Sequence, residues 1–311
     1  MLGREWLSEI KLDWHQLFPV KNRGETAEVH YMDALKKKMP EVFKDGKSEE
    51  QFNLDEVRKI LEGVEKIFPN TFSGKLGKLK DVKAHIPVNN GAELKFHKAR
   101  PVPYALRKRV EEELDALEAQ GVYKKVRYAR TAAPIVVVKK DPKDPAGPIR
   151  ICGDYKVTVN TIAPCDNYPL PNTSEQLATL AGGQHFSKID LKQAFQQIEL
   201  DEVSKELLTV NTHRGLYQPQ RVQYGVHSAT GIFQREIERI LKGIPFVLVR
   251  VDDILVTGRN PGEHFIILLR VLDALEEAGL TVNLKKCKFF KDEVTFCGYR
   301  VRRSETNERQ R

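Results

Sequence analysis

The sequence is poor in cysteine and has no long apolar run. Four cysteines occur among 311 residues, and none of them forms a Cys-x-x-Cys pair. Neither a zinc site nor a disulfide framework is therefore predicted, and the cysteines are expected to be buried thiols in a reducing compartment. No apolar run approaches the roughly 20 residues that cross a bilayer, and the first residues lack a signal-peptide pattern. We expect an intracellular protein, of cytoplasm or nucleus, that is neither secreted nor embedded in a membrane.

Acidic residues are the minority among the charged residues. Lys and Arg total 51 and Asp and Glu total 43, which gives a net charge of +8. This excess is compatible with nucleic-acid binding and does not establish it. Hydrophobic residues make up 41% and charged residues 30% of the chain, as is typical of a globular protein. The length suffices for one large domain or two ordinary ones, and the oligomeric state is left open.

Two adjacent carboxylates interrupt an apolar stretch. Residues 247–256 read Val-Leu-Val-Arg-Val-Asp-Asp-Ile-Leu-Val, and an ionised carboxylate without a partner is costly to bury in a strand. Two strands that meet at Val251 and Asp252 would instead lift the acids to a hairpin tip. An isolated Asp-Asp pair is more often an ordinary β-turn, so a catalytic interpretation requires a further acid.

Asp190 supplies that acid, because it also ends a short apolar stretch, Phe-Ser-Lys-Ile-Asp at residues 186–190. Asp190 and Asp252 at the ends of neighbouring strands could hold two divalent cations about 4 Å apart, with Asp253 close behind. Such a pair of cations clamps the attacking and the leaving oxygen of a phosphoryl transfer. Asp190, Asp252 and Asp253 are therefore the candidate metal-binding and catalytic carboxylates.

The two acidic motifs and their order resemble the polymerase site of reverse transcriptases, whose second motif reads Tyr-x-Asp-Asp. The surrounding residues look most like those of gypsy-type LTR retrotransposons, closely over residues 95–301 and loosely over 1–95. The resemblance implies an RNA-directed DNA polymerase, a nucleotidyltransferase that uses two Mg²⁺ ions, with Mn²⁺ as a substitute. Its implied partners are an RNA or DNA template with a primer, and deoxynucleoside triphosphates.

The resemblance also implies an α+β fold, with an antiparallel palm sheet packed on helices and fingers above it. Residues 86–302 would form the fingers and palm. Residues 1–85 would be an extension similar to the segment between protease and polymerase in retrotransposon polyproteins, and no Asp-Thr-Gly or Asp-Ser-Gly of the protease itself occurs. Residues 303–311 would be a tail, truncated before the thumb, RNase H and integrase. Apolar spacing predicts helices at residues 54–68, 104–120 and 261–277.

A basic hairpin and an aromatic residue are candidates for nucleotide binding. One strand ends in Lys139 and Lys140, and the returning strand carries Arg150. Such a hairpin is more often only solvated, but the resemblance assigns it to the fingers, where it would clamp a triphosphate. Phe195 matches the family position that excludes a ribose 2′-hydroxyl. Without the resemblance, core packing is an equal alternative.

The loop that follows departs from the family pattern. Residues 222–225 read Val-Gln-Tyr-Gly where the family usually has Leu-Pro-Phe-Gly, and Thr230 replaces a proline. Tyr224 and Gly225 are the nucleotide-binding candidates here, since the backbone at a glycine can approach a ligand closely. The loss of proline leaves the rigidity of this loop open.

Two further motifs lie near the C-terminus. Lys285 or Lys286, with Lys286 preferred, matches a family lysine that can protonate the leaving pyrophosphate, and plain surface charge is an equal alternative. The sequence Phe-Cys-Gly-Tyr at residues 296–299 looks like the hairpin that grips the primer end, with Phe296, Cys297, Gly298 and Tyr299 as the candidate residues.

Arg250 stands where the family usually has tyrosine. In a regular strand it would share a face with Asp252 and compete with a cation for that carboxylate, so we expect weak polymerisation or none. The alternative function is a catalytically inactive, nucleic-acid-binding remnant of a retroelement. A two-metal nuclease is a third hypothesis, disfavoured because further acids at suitable spacing are missing.

Overall fold

A computed structural model gives the fold, and the described residues are 33, 35–40, 42–43, 51–139, 144, 147–164, 166, 168–169, 176–177 and 180–303. The chain divides into two compact units, Met1–Ser48 and Glu49–Arg311. In the first unit, the Met39 amide donates a hydrogen bond of 2.8 Å to the Leu35 carbonyl. All site residues predicted from the sequence belong to the second unit, and of these Lys140 lies outside the described residues.

The predicted helices are present. Their apolar residues recur at the helical spacing, and these residues form the buried face of each helix. The helix predicted at 104–120 buries Val110, Leu114 and Leu117. The helix predicted at 261–277 ends at Gly279, whose φ of 78° is the left-handed conformation that closes many helices. The stretch 54–68 forms two helices instead of one. The helices are α1 (Leu54–Leu61), α2 (Val64–Ile67), α3 (Tyr104–Ala119), α4 (Val159–Ile162), α5 (Glu202–Leu207), α6 (Ala229–Ile240) and α7 (Pro261–Ala278).

The strands are short and form small sheets. They are β1 (Lys83–Ala84), β2 (Tyr123–Val126), β3 (Ala133–Lys139), β4 (Ile149–Gly153), β5 (His185–Asp190), β6 (Glu199–Leu200), β7 (Val210–Thr212), β8 (Gly215–Pro219), β9 (Val247–Arg250), β10 (Asp253–Gly258), β11 (Lys288–Lys291), β12 (Glu293–Phe296) and β13 (Tyr299–Arg302).

The palm sheet is antiparallel throughout, in the order β11-β5-β10-β9. Because side chains alternate along a strand, the sheet has two distinct faces. Helix α7 packs on β10 and β5, and α6 packs on β9. On the other face, Phe186, Leu248 and Leu255 form a buried cluster with Val294 and Phe296 of the β12–β13 hairpin. The antiparallel sheet packed on helices confirms the predicted palm, and the β12–β13 hairpin covers its other face.

A second sheet has the order β2-β8-β7-β3-β4. Its β3–β4 hairpin pairs Ile135 with Gly153 and Lys139 with Ile149, and β3 also runs parallel to β7. This is the basic hairpin that the sequence assigned to the fingers. Within the described part of the chain, no helix combines the length and apolarity that a bilayer crossing requires.

Residues 51–85 pack into the second unit. Helix α1 contacts α7 and β11, and β1 pairs with β6, with Ala84 opposite Leu200. The Lys78 amide donates to the Gly279 carbonyl at 2.9 Å. In this structure the compact unit therefore begins at Glu49, upstream of the boundary predicted at residue 85.

Candidate active site

The β9–β10 hairpin carries the two adjacent carboxylates at its tip, as the sequence predicted. Val251 and Asp252 form the two-residue connection between Arg250 and Asp253, which pair across the hairpin. Val251 has a φ of 53°, a conformation that is a genuine outlier for a β-branched residue. Asp252 is exposed and Asp253 is half-buried, so the tip places one carboxylate in solvent and the other against the sheet.

Gln234 of α6 fixes this hairpin. Its side-chain oxygen accepts a hydrogen bond from the Val251 amide at 2.7 Å, and its side-chain nitrogen donates to the Val249 carbonyl at 3.0 Å and to Glu238 at 2.6 Å. Gln234 is fully buried, where an unmade hydrogen bond is costly. The strained conformation of Val251 is thus held by a bond from a neighbouring helix.

Asp190 and Asp252 line one open cleft, of about 860 Å³. Asp190 pairs with Asp253 across neighbouring strands, and the Leu191 amide donates to the Asp252 carbonyl at 2.9 Å. Burial raises the pKa of the Asp190 carboxyl above its ordinary value; Lys286 opposes this shift, while the Asp253 and Asp252 carboxylates add to it. Crowded carboxylates in a partly desolvated cleft favour the binding of a cation.

Lys286 lies beside this carboxylate. Its Nζ atom is 3.5 Å from Oδ2 of Asp190, and it also lines the cleft. Lys285 is exposed and is not among the described residues that line the cleft. The structure therefore brings Lys286, the preferred lysine, to the candidate site.

Asp253 points along the sheet toward Lys188. Its Oδ2 atom is 2.7 Å from Nζ of Lys188, and both side chains are largely buried. Lys188 also donates to the Thr295 carbonyl at 3.4 Å, so this ion pair joins the palm sheet to the β12–β13 hairpin. Asp253 is not among the described residues that line the cleft.

The expectation that Arg250 shares a regular strand face with Asp252 is wrong, because the strand ends at Arg250 and a turn follows. The cross-strand partner of Arg250 is Asp253. Partial desolvation raises the pKa of the Cys297 thiol, Asp253 raises it further, and Arg250 and Lys188 oppose the shift. Arg250 is therefore close to the tip of the β12–β13 hairpin, on the face that carries Asp253.

Arg150 and Tyr224 line the same cleft as the carboxylates. The Arg150 guanidinium lies over the Tyr224 ring, 4.4 Å from its centre, a cation–π contact that fixes the fork of the arginine. Phe195 contacts the Tyr224 ring edge to face at 5.2 Å and the Phe233 ring at 5.9 Å. Neither Phe195 nor Lys139 is among the described residues that line the cleft.

Gly225 and the β12–β13 hairpin show why glycine is needed at two turns. Gly225 has a φ of 91°, and Gly298 one of 83°, which side chains other than glycine rarely adopt. At the hairpin tip Cys297 also has a positive φ, of 49°, so that the tip resembles the two-residue turns that suit antiparallel hairpins. Phe296 is fully buried under the tip, and Tyr299 is 47% exposed beside it.

The carboxylates fit a hard divalent cation. Mg²⁺ prefers oxygen ligands and is commonly held by one or two carboxylates, with the remaining ligands coming from substrate phosphates and water. Asp190 and Asp252 provide two such carboxylates. Within the described ranges, no group of three or more His, Cys, Asp or Glu side chains is arranged to hold a metal ion.

Three parts of the site were not found from the sequence. Gln234 fixes the hairpin, Lys192 lines the cleft two residues after Asp190, and residues 74–76 form part of the cleft wall. Gln234 stands on the buried face of an amphipathic helix, where a lone polar residue is a usable signal. Nothing in residues 74–76 marks them locally, because their place depends on contacts more than 100 positions away along the chain.

Comparisons with known proteins identify the family. The model of the family "Reverse transcriptase (RNA-dependent DNA polymerase)" matches residues 138–301. An uncharacterized protein of Caenorhabditis elegans is 38% identical over 233 residues, which is 75% of this chain and 18% of that protein. The retrovirus-related Pol polyprotein from transposon opus of Drosophila melanogaster is 33% identical over 254 residues, or 79% of this chain and 25% of that protein.

The fold is shared with solved structures of the foamy viral protease-reverse transcriptase. One in complex with double-stranded DNA and one in complex with an RNA/DNA hybrid each have a TM-score of 0.72 and 23% identity. Each alignment covers 88% of this chain, and 46% and 35% of the respective structures. The chain thus spans a quarter or less of the two curated relatives described above. By its family match, the chain belongs to the reverse transcriptase (RNA-dependent DNA polymerase) family.

Proposed function

We propose that this chain catalyses template-directed transfer of a deoxynucleotide to a primer 3′-hydroxyl, as an RNA-directed DNA polymerase of a retrotransposon. The observation that carries the proposal is the cleft in which Asp190 and Asp252 lie together with Arg150, Tyr224 and Lys286. Carboxylates that can hold cations and basic groups that can hold phosphates share one open space there. The inactive remnant is less favoured, because both carboxylates keep their place in the cleft.

In this mechanism Asp190 and Asp252 would hold two Mg²⁺ ions, or Mn²⁺ in their place. These ions would supply activation of the primer hydroxyl and charge neutralisation at the triphosphate. Asp253, paired with Lys188 at 2.7 Å, supports the position of the hairpin. Gln234 keeps Asp252 at the tip through its bond to the Val251 amide.

The basic and aromatic groups would orient the nucleotide. The Arg150 fork, fixed on the Tyr224 ring, suits phosphate oxygens. Lys139 ends the same hairpin and would add a point charge. Phe195 would exclude a 2′-hydroxyl by supporting the Tyr224 ring, with which it is in edge contact. Lys286, 3.5 Å from Asp190, would protonate the leaving pyrophosphate.

The β12–β13 hairpin would hold the primer end. Its tip lies on the face of the palm sheet that carries Asp190 and Asp253, because β12 packs on β5. Phe296 anchors the tip in the core, whereas Tyr299 is partly exposed and available to a sugar or base. Template and primer would bind largely through phosphates, and hence with strong salt dependence.

Arg250 would lower the activity from its place at the end of β9. It pairs across the hairpin with Asp253, so its positive charge would lie beside the carboxylates at the tip. It also places a cation where the family usually has an aromatic ring. We expect slow extension that requires a high Mg²⁺ concentration.

The remaining assignments are proposals as well. Residues 86–302 would be the fingers and palm, residues 1–85 an extension similar to the segment between protease and polymerase, and residues 303–311 a tail. The protein would act inside the cell, where its nucleotide and nucleic-acid substrates are found.

Primer extension tests the function directly. The parent chain should extend a labelled oligo(dT) primer on poly(rA) with Mg²⁺ or Mn²⁺. Asp190→Asn and Asp252→Asn should each lower the rate a thousandfold or more, since several kcal/mol of transition-state stabilisation are lost. Both should bind the primer–template as the parent does. Asp81→Asn is the matched control, because Asp81 is exposed and its positive φ suits asparagine. An Asp190 or Asp252 variant with more than about a tenth of the parent rate would contradict the assignment.

A further inference from the structure

One wall of the catalytic cleft is formed by a segment that precedes the family match. Gly74, Lys75 and Leu76 line the cleft together with Asp190 and Asp252, although the family model begins at residue 138. We call residues 74–77 the strap. It has no assigned role, yet it faces the carboxylates across the same open space.

The strap is held by a buried network around Gln197. Gln197 is fully buried and its side-chain nitrogen donates to the Lys192 carbonyl at 2.7 Å and to the Thr281 carbonyl at 2.9 Å. Its oxygen accepts from the Thr281 amide at 2.7 Å. The Thr281 hydroxyl donates to the Lys75 carbonyl at 3.1 Å and accepts from the Gly77 amide at 3.0 Å. A single glutamine thus connects the strap to the loop that follows Asp190.

Close packing fixes the strap further. A Cβ atom at Gly77 would lie 2.1 Å from the Gln197 side-chain oxygen and 2.8 Å from the Gly279 carbonyl oxygen, so the backbone approaches too closely for any side chain. Arg221 donates to the Gly77 carbonyl at 3.1 Å, and the Lys192 ammonium donates to the Gly74 carbonyl. The strap is therefore preorganised, which reduces the entropy lost when a ligand binds.

The wall that results is basic. Lys75 is exposed, and its ammonium group has no ion-pair partner among the described residues. Lys192 and Lys286 lie on the same cleft lining, and Lys192 follows Asp190 by two residues along the chain. An anion held here would be beside the carboxylates, and a lysine is a flexible point charge that suits phosphate oxygens in changing positions.

We propose that the strap binds the polyphosphate part of the reaction through Lys75, both as the triphosphate tail of the entering nucleotide and as the released pyrophosphate. This inference rests on the proposed polymerase function. A polyphosphate is favoured over the nucleic-acid backbone because residues 74–76 present one cation beside the metal-binding carboxylates and no aromatic ring on which a base could stack. The strap would therefore contact the phosphate groups of the entering nucleotide and of the released pyrophosphate.

Equilibrium binding tests this without turnover. Inorganic pyrophosphate with Mg²⁺ is titrated into the full chain by calorimetry at fixed ionic strength, and an RNA/DNA hybrid is titrated by fluorescence anisotropy. Lys75→Ala should weaken pyrophosphate binding about three- to tenfold, as expected for the loss of one partly solvated charge contact. It should change the affinity for the hybrid by less than about twofold. Lys80→Ala is the matched control, since Lys80 is exposed on the same segment and is not among the described residues of the cleft lining.

The possible results distinguish the proposal for the strap from the proposed polymerase function. A parent chain that binds pyrophosphate through Lys75 but extends no primer supports the strap and overturns the proposed polymerase function. A parent chain that binds no pyrophosphate, or a Lys75→Ala variant that binds it as well as Lys80→Ala does, overturns the strap proposal even if primers are extended. A larger loss for the hybrid than for pyrophosphate also overturns it, and assigns Lys75 to the primer–template. Circular dichroism spectra that match the parent exclude misfolding as the cause.

Discussion

The β9–β10 hairpin is part of the palm sheet and the β12–β13 hairpin packs on one of its faces, and their tips are built by different means. The β12–β13 tip consists of Cys297 and Gly298, both with positive φ, and glycine makes such a turn locally favourable. The β9–β10 tip has a positive φ only at Val251 among its two residues, where a β-branched side chain is disfavoured. Its conformation is imposed from outside, by the hydrogen bond that the Val251 amide donates to the Gln234 side-chain oxygen. The turn at Cys297 and Gly298 is thus encoded locally, and the turn at Val251 and Asp252 is encoded by packing.

Among the variants that test this comparison of the two turns, the largest effect is expected when the side-chain amide of Gln234 is removed. Gln234→Leu keeps the approximate shape but leaves the Val251 amide and the Val249 carbonyl without their partner. We expect a loss of about 2–4 kcal/mol in the free energy of unfolding and a rate of primer extension lowered by more than about tenfold. Urea unfolding and single-turnover extension measure the two effects.

Glu238→Gln is the control for this change. It removes a charge from the same helix while keeping an oxygen that can accept the bond from Gln234. A Gln234→Leu variant whose extension rate stays within about twofold of the Glu238→Gln rate, a difference of less than about 0.5 kcal/mol, would show that the hairpin holds its own turn.

A smaller effect is expected at the locally encoded turn. Gly298→Ala should cost about 1 kcal/mol in the free energy of unfolding, because alanine resists a φ of 83°. A Cβ atom there meets nothing within 4 Å, so the cost is conformational alone. Gly63→Ala is the control, since Gly63 has a φ of −107° and its Cβ would be in ordinary contact, 3.6 Å from the Ile60 carbonyl. Equal free energies of unfolding for the two variants would contradict the proposal that glycine at position 298 favours this turn locally.

The smallest effect is expected at the strained residue itself. Val251→Gly should relieve the positive φ and raise the free energy of unfolding by about 0.5 kcal/mol, the difference between the strain relieved and the added chain entropy. Val136→Gly should have the opposite sign and cost about 1 kcal/mol, because Val136 is a partly exposed residue inside β3. If both variants lose stability equally in urea titrations, Val251 is not strained.

The comparison of the two turns also shows which features of the structure could be predicted from the sequence. Apolar spacing predicted α3 and α7, and the interruption of an apolar stretch predicted the tip at Val251 and Asp252, because these signals are local. The regular strand expected to run from Arg250 to Asp252 was wrong, since a turn begins after Arg250. The support from Gln234 and the strap were missed, because side-chain contacts between distant segments leave no periodic signal.

The segment that the family model matches is shorter than the compact unit that contains it. The network around Gln197 connects the matched segment to residues that precede it. The family match begins at residue 138, whereas the compact unit begins at Glu49. A fragment cut to the matched range would leave Gln197 and Thr281 without their contacts to Gly77 and Lys75. It would also lack α3, and with it Glu113 and Gln120 of the cleft lining. The candidate cleft is therefore a property of the longer segment, which includes residues upstream of the family match.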